Sequence, residues 1–293
     1  MEIVDGIFLI KNPHRHYFVS SCLFVGDSLT LVDAGREESP EDSIYPYIYR
    51  LGRDPSEISL VILTHAHWDH CAGAAKIKRD SGCKVAVHRN GMAYLKDPDL
   101  LNRERAERFP GVPLKSMEFE TVDADIDFLD GDVLPVQGRK VRVLHTPGHS
   151  PCSCCIVEEK NRIVIAGDAI QGRGEGRPLI FHSVDAYVDS MRRLLDITIE
   201  VIVSGHPFPP SEKAVLRGEE TSMHIRESLS AVEELKNLVR GTLKKSSKPM
   251  NVMQVHRAIS AAPLFTIGCV LESLVAQGAV QRLKLGNEQL WAV

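Results

Sequence analysis

Four metal-binding side chains fall within six positions of this 293-residue chain. Thr64-His-Ala-His-Trp-Asp-His70 carries His65, His67, Asp69 and His70. His65 and His67 are two apart on a segment leaving an apolar run, so their rings can point the same way. Asp69 and His70 open the next element and face a neighbouring position, so one short segment serves two metal ions. Three more donors repeat the pattern. His149 follows Thr146-Pro-Gly, Asp168 follows Gly167, and His206 follows Ser204-Gly, each just after a Val/Ile/Leu run. Asp168 offers two oxygens, suited to bridging ions ~3.5–4 Å apart. Imidazole and carboxylate are the ligands of catalytic zinc, and a protein cage with an open water position fits hydrolysis. Two divalent ions are therefore expected, zinc first, with iron or manganese as alternatives.

The elements that must present these donors read as buried strands. Ser59 to Leu63, Lys140 to Leu144, Arg162 to Ala166 and Glu200 to Val203 are short apolar runs bounded by Gly, Pro or Ser. Gly6 to Ile10, Phe18 to Val25, Leu29 to Gly35 and Lys84 to His88 read the same way. Helices are expected around residues 40–52, from Asp69 to about Asp80, and over Val184 to Leu195. Strands alternating with helices argue for an α/β layer structure, and the alternation by itself suggests a single open sheet. In such folds chemistry gathers beyond the carboxyl ends of the strands.

Residues 90–120 interrupt this rhythm with interspersed apolar residues, charges and prolines. They read either as a helical cap over the site or as an insertion with a small core of its own. Asp123, Asp125, Asp127, Asp130 and Asp132 do not make a calcium loop. Phe128 stands where the glycine is needed, and Leu134 where the bidentate glutamate is needed. A strand and an Asp130-Gly131 turn are expected instead. A boundary falls near residue 215. After it, Glu219 to Arg240 is amphipathic, Gly241 to Pro249 reads as a basic linker, and two short helices precede a hairpin around Gly286-Asn287. Helix, helix, hairpin is the order of a winged helix.

With these residues in place, the chain resembles the metallo-β-lactamase superfamily. The resemblance rests on Thr64-His-Ala-His-Trp-Asp-His70, Thr146-Pro-Gly-His-Ser150, Gly167-Asp168, Gly205-His206 and Leu31-Val-Asp-Ala-Gly35. It covers residues 1–210 or so and implies an αββα sandwich over 1–215, with a small, mostly helical, winged-helix-like part over 216–293. By the resemblance one metal takes His65, His67 and His149. The other takes Asp69, His70 and His206, and Asp168 bridges them. Two divalent ions, these two carboxylates and a bridging hydroxide leave a charge of about +1, which favours substrates that carry or develop negative charge. Asp69 is expected to orient the hydroxide and shuttle the proton.

The resemblance leaves several activities open. The first expectation is cleavage of an ester, thioester or lactone of a small anionic or acylated molecule. The second is a single-stranded-RNA endonuclease, because residues 219–293 hold nine Lys/Arg against seven Asp/Glu, with Lys244, Lys245 and Lys248 clustered. The third is iron-dependent persulfide oxygenation. Lactonases of this layout place a tyrosine where this chain has Gln171. Arg173 and Arg177, among glycines, read as an anion-contacting loop or a flexible turn, whereas Tyr187 and Ser190 read as packing residues. The last module also serves as a candidate homodimer contact.

A net charge of −4 gives no reason to expect a globally basic nucleic-acid binder. No apolar stretch approaches the ~20 residues of a membrane span. The seven cysteines lack the spacing of a disulfide framework, and Cys152, Cys154 and Cys155 read as packing residues. A cytoplasmic setting is expected.

Overall fold

The computed structural model describes residues 1–114, 116–286 and 288–293, so Asn287 of the expected hairpin turn lies outside the described residues. The first sheet runs β1 (Glu2–Val4), β2 (Ile7–His14), β3 (Tyr17–Val25), β4 (Leu29–Val32), β5 (Ile58–Leu63), β6 (Lys84–His88) and β7 (Ile126–Phe128), in that spatial order. Its first four strands are antiparallel and its last four parallel. The second sheet runs β8 (Val133–Val136), β9 (Arg139–His145), β10 (Cys154–Glu158), β11 (Ile163–Gly167), β12 (Val201–Ser204) and β13 (Val215–Arg217). Only its β11–β12 pair is parallel. The single open sheet suggested by alternation is thus replaced by two. A continuous apolar run shows that both faces of a strand are buried, not what buries them.

The side-chain alternation of the strands sorts the core into three layers. Ile62 and Ala86 face Ile163, Ile165, Val201 and Val203 between the sheets. Val61, Leu63, Val85 and Val87 point outward, where α1 (Tyr45–Arg50) and an apolar face of residues 74–77 cover them. Val164, Ala166 and Ile202 point outward from the second sheet. Each valine, leucine or isoleucine among them contributes roughly 1.5–3 kcal/mol on full burial.

The helix expected from Asp69 to about Asp80 is two helices, α2 (Trp68–Cys71) and α3 (Ala74–Ser81). Gly73 sits at the break. A methyl there would collide with the Ala34 carbonyl oxygen, so this junction presses directly on the loop after β4. Next come α4 (Met92–Lys96) and α5 (Leu100–Arg108), the helical part of residues 90–120. Asp125 accepts from Val85 N, and Asp130 pairs with Arg193, so this acidic stretch anchors strand and turn.

α6 (Val184–Leu195) is capped by Ser183, which accepts from Ala186 N. It buries Val184, Tyr187, Val188, Met191 and Leu194 on one face. α7 (Glu219–Lys245) runs through the first half of the expected linker, leaving Lys244 and Lys245 in its last turn, where cations suit the helix dipole. α8 (Val252–Ile259), α9 (Leu264–Ala276) and the hairpin of β14 (Gln281–Leu285) and β15 (Glu288–Ala292) complete the chain. Val232, Leu274 and Trp291 from this last part share one hydrophobic cluster with Tyr187 and Met191.

All seven cysteines are free and buried. Cys152, Cys154 and Cys155 go one each to the outer layer of the first sheet, the layer between sheets, and the outer layer of the second. Among the described residues no single helix is long and apolar enough to cross a membrane.

Candidate metal centre

The seven sequence-predicted donors converge at one edge of the sandwich, beyond the ends of β5, β9, β11 and β12. Backbone bonds stitch the loops there: Gly205 N donates to Gly167 O at 2.7 Å, Ser20 N to Gly205 O at 2.7 Å, and Cys154 N to Thr64 O at 2.9 Å. Donor atoms group as His65, His67 and His149; as His65, His70 and Asp168; and as Asp69, His70 and His206, each within 4.8 Å. Asp168 belongs to both sides. Its Oδ1 lies 3.3 Å from His70 Nε2 and 3.5 Å from His206 Nε2, and its Oδ2 lies 3.6 Å from His149 Nε2.

The outer ring nitrogens of His65, His70, His149 and His206 have acceptors, which leaves the inner ones to act as lone-pair donors whenever the ring is neutral. His70 Nδ1 donates to Asp33 Oδ2 at 2.8 Å, His149 Nδ1 to Leu179 O at 2.7 Å, and His206 Nδ1 to Phe18 O at 3.2 Å. Thr64 Oγ1 donates to Asp33 Oδ2 at 2.8 Å and so accepts from His65 Nδ1 at 3.1 Å. Asp33 Oδ1 accepts Thr64 N at 2.8 Å. One carboxylate therefore orients two of the five imidazoles, and it does so from a left-handed backbone at φ 62°. Sequence motifs brought Asp33 into view without revealing this task.

The donor set fits divalent metal. His65 Nε2 is buried with no hydrogen-bond partner among the described residues, aimed where the other inner nitrogens point. Burial pushes His65 and His67 well below the ordinary histidine range, and His149 below it. Neutral imidazole is the form that ligates. Burial also opposes charge on His70 and His206. The carboxylates outweigh it, Asp33 foremost at His70 and Asp168 at His206, raising the first well above normal and the second to about 9. Asp69, resisted by burial but held by His70 and His206, drops to about 2.

A cavity of about 440 Å³ opens against this cluster. Leu101, Met117 and Phe119 of the 90–120 segment line it with Trp68, Leu179 and Phe181, so this segment does cap the site. Arg177 also lines the cavity, over the Phe208 ring at 4.6 Å, while Arg173 of the same loop turns away to Glu234. Arg105 of α5 lines it as well. Nothing in the ordinary sequence Leu-Leu-Asn-Arg-Glu-Arg-Ala-Glu-Arg singled that residue out. Gln171 is buried, its amide nitrogen donating to Asp168 O at 2.8 Å and to Leu179 O at 3.0 Å, a bracing role. Ser190 donates to Pro147 O at 2.8 Å, steadying the turn before His149, and Tyr187 packs in the core.

The sequence profile of the Metallo-beta-lactamase superfamily matches residues 17–206. The acyl-coenzyme A thioesterase MBLAC2 of Homo sapiens is 25% identical over 163 residues, covering 50% of this chain and 55% of that protein. A hydroxyacylglutathione hydrolase of Chelativorans sp. (strain BNC1) is 26% identical over 219 residues, 74% of each. The chain spans about half the length of the first curated relatives it matches. A metallo-beta-lactamase family protein from Thermus thermophilus superposes with a TM-score of 0.82 at 20% identity, over 99% of both chains, a likeness of fold.

Proposed function

The chain belongs to the metallo-beta-lactamase superfamily, and from that membership we propose that it is a divalent-metal hydrolase cleaving a thioester or ester of a small acylated molecule. The observation that carries this reading is the convergence of seven candidate donors, five of them (His67, Asp69, His149, Asp168 and His206) on one wall of a cavity whose other walls are largely apolar. The names of the thioesterase and hydroxyacylglutathione hydrolase relatives both denote thioester cleavage, which supports the thioester as first choice.

His65, His67 and His149 would hold one ion, and Asp69, His70 and His206 a second, with Asp168 facing both sets. The neutral nitrogen and carboxylate donors favour zinc. When bound, the ions acidify water and polarise the carbonyl under attack. Asp33 and the Leu179 and Phe18 carbonyls keep the rings in register. Asp69, ionised and partly open to the cavity, accepts a proton at its carboxylate and returns it to the leaving group. Leu101, Met117, Phe119 and Phe181 exclude water and hold the acyl chain.

The test is thiol release from a panel of short-chain acyl thioesters, with zinc-, manganese- and iron-loaded protein, beside Asp168→Ala. Hydrolysis that tracks metal content and vanishes in the variant supports the reading. Wild-type turnover in Asp168→Ala at undiminished metal content sinks it. Metal-dependent cutting of single-stranded RNA without thioester cleavage would replace it with the nuclease.

A further inference from the structure

We propose that Arg105, with Arg177 adding a second positive charge to the wall of the same cavity, reads a carboxylate on the substrate, so that the enzyme selects thioesters or esters with a free carboxylate a few bonds from the carbonyl being cleaved. This rests on the hydrolase reading above and adds the chemical class of its substrate.

Two arginines and two carboxylates are among the described residues that line the cavity, and the carboxylates, Asp69 and Asp168, belong to the donor cluster. Neighbouring arginines are paired: Arg103 with Asp97, Arg108 with Glu272, Arg173 with Glu234. Among the described residues neither Arg105 nor Arg177 makes such an ion pair, and the carboxylate that attracts Arg177, Asp168, does so from beyond ion-pair distance and belongs to the donor cluster. Both lie against aromatic faces. Arg105 stands 4.9 Å from the Phe181 ring centre and 5.3 Å from that of Phe265, and Arg177 is 4.6 Å from that of Phe208. Arg105 Nε and Arg177 Nη1 are buried with no acceptor among the described residues. A guanidinium keeps its charge in a protein, so burial without an acceptor is costly unless a ligand brings one.

His67 sharpens the argument. Its Nδ1 faces His149 Nε2 at 2.7 Å, inside the donor cluster, while its Nε2 faces Arg105 Nη2 at 3.4 Å. With Nδ1 committed to a metal as a lone-pair donor, Nε2 carries the ring proton. Two donors then confront each other at the cavity wall. An oxygen anion settling between them answers both, and the planar fork of Arg105 suits a carboxylate. That anion would stand one imidazole ring away from the donor cluster. A phosphate at the far end of a long carrier arm cannot lie there while the thioester is at the centre. A carboxylate on the acyl group, or on a small thiol, can.

Trp68 lines the same cavity and reports binding without turnover. Glutarate added to metal-loaded protein should change Trp68 emission saturably, with affinity falling on the order of tenfold or more in Arg105→Met/Arg177→Met and unchanged in Arg173→Met. The methionines keep the apolar stems, and a Lys at each position, restoring charge without the fork, should recover part of the loss. Kinetically, the glutaryl thioester of a neutral thiol is compared with its methyl ester, and acetyl-glutathione with the acetyl thioester of a neutral thiol. A preference of about tenfold or more for the anionic member, expressed in KM and abolished in the double variant, supports the proposal. The pair that shows it tells which side of the scissile bond bears the carboxylate. No preference in either pair, or a preference that survives the double variant, overturns it. If no thioester is cleaved, the hydrolase reading fails, and the glutarate titration still decides the arginines.

Discussion

Asp33 accepts the Nδ1 proton of His70 at 2.8 Å across 37 positions of sequence, and the same oxygen accepts Thr64 Oγ1 at the same distance. It is the hub behind the metal-facing edge. Asp33→Ala removes the acceptor for His70 and Thr64 and puts a methyl-bearing residue at φ 62°. Metal affinity should fall about 10–100-fold, read by competition with a chelator. Asp33→Asn keeps a side chain that tolerates this backbone and an acceptor for Thr64 N, so it should cost less stability while still weakening metal binding. Unchanged affinity in both variants would show that the hub does not orient the site.

Gly205→Ala tests how tightly the site is built. A methyl there would clash with Asp168 Oδ1 and lie 2.7 Å from His70 Cε1. Displacing these donors by a fraction of an ångström or more should reduce turnover about 100-fold with the circular dichroism intact. A fully active variant would mean that Asp168 has slack to move.

His224, inside α7, gives a pH signature away from the metal cluster. Burial lowers its pKa to about 4. The unfolded chain takes up a proton below about 6.5, the folded chain only near 4. This histidine's share of stability is therefore complete above pH 6.5 and is lost as pH falls toward 4. The full window corresponds to up to about 3 kcal/mol. The urea midpoint of wild type should fall relative to that of His224→Leu as the pH drops from 7 to 4.5, and parallel curves would refute the assignment.

Trp291 is buried on β15 and shares a hydrophobic cluster with Tyr187 and Met191 of α6. Trp291→Ala should cost about 3–5 kcal/mol. Because the cluster spans both sides of residue 215, melting should remain a single transition at a lower temperature. Two separated transitions would show that residues 216–293 fold as a unit of their own.

The candidate ligands could be read from the sequence because each comes after a strand, where the chain must bend and can turn side chains of several strands toward one edge of the sheets. His65, His67, Asp69, His70, His149, Asp168 and His206 all arrive at one place. Two sheets rather than one were not legible from alternation, since Val61, Ile62 and Leu63 look alike in sequence yet serve two different layers. The break at Gly73 depends on the approach of Ala34, and no local propensity records that. Nor could the extension of α7 to Lys245 be seen past Gly241, which has open space around it. Arg105 was hidden for another reason. What distinguishes it from Arg103, two residues earlier and paired with Asp97, is that no carboxylate among the described residues pairs with it, a property of the folded neighbourhood alone.

With all seven thiols buried and unpaired, the chain carries its own clock for opening. A thiol reagent in solution cannot reach any of them without a fluctuation that exposes a core layer. Cys152, Cys154 and Cys155, adjacent in sequence but lodged in three layers, sample three kinds of opening within four residues. Mass spectrometry of that one peptide would show which layer loosens first, and whether a bound metal holds the metal-facing edge shut while the distant layers breathe.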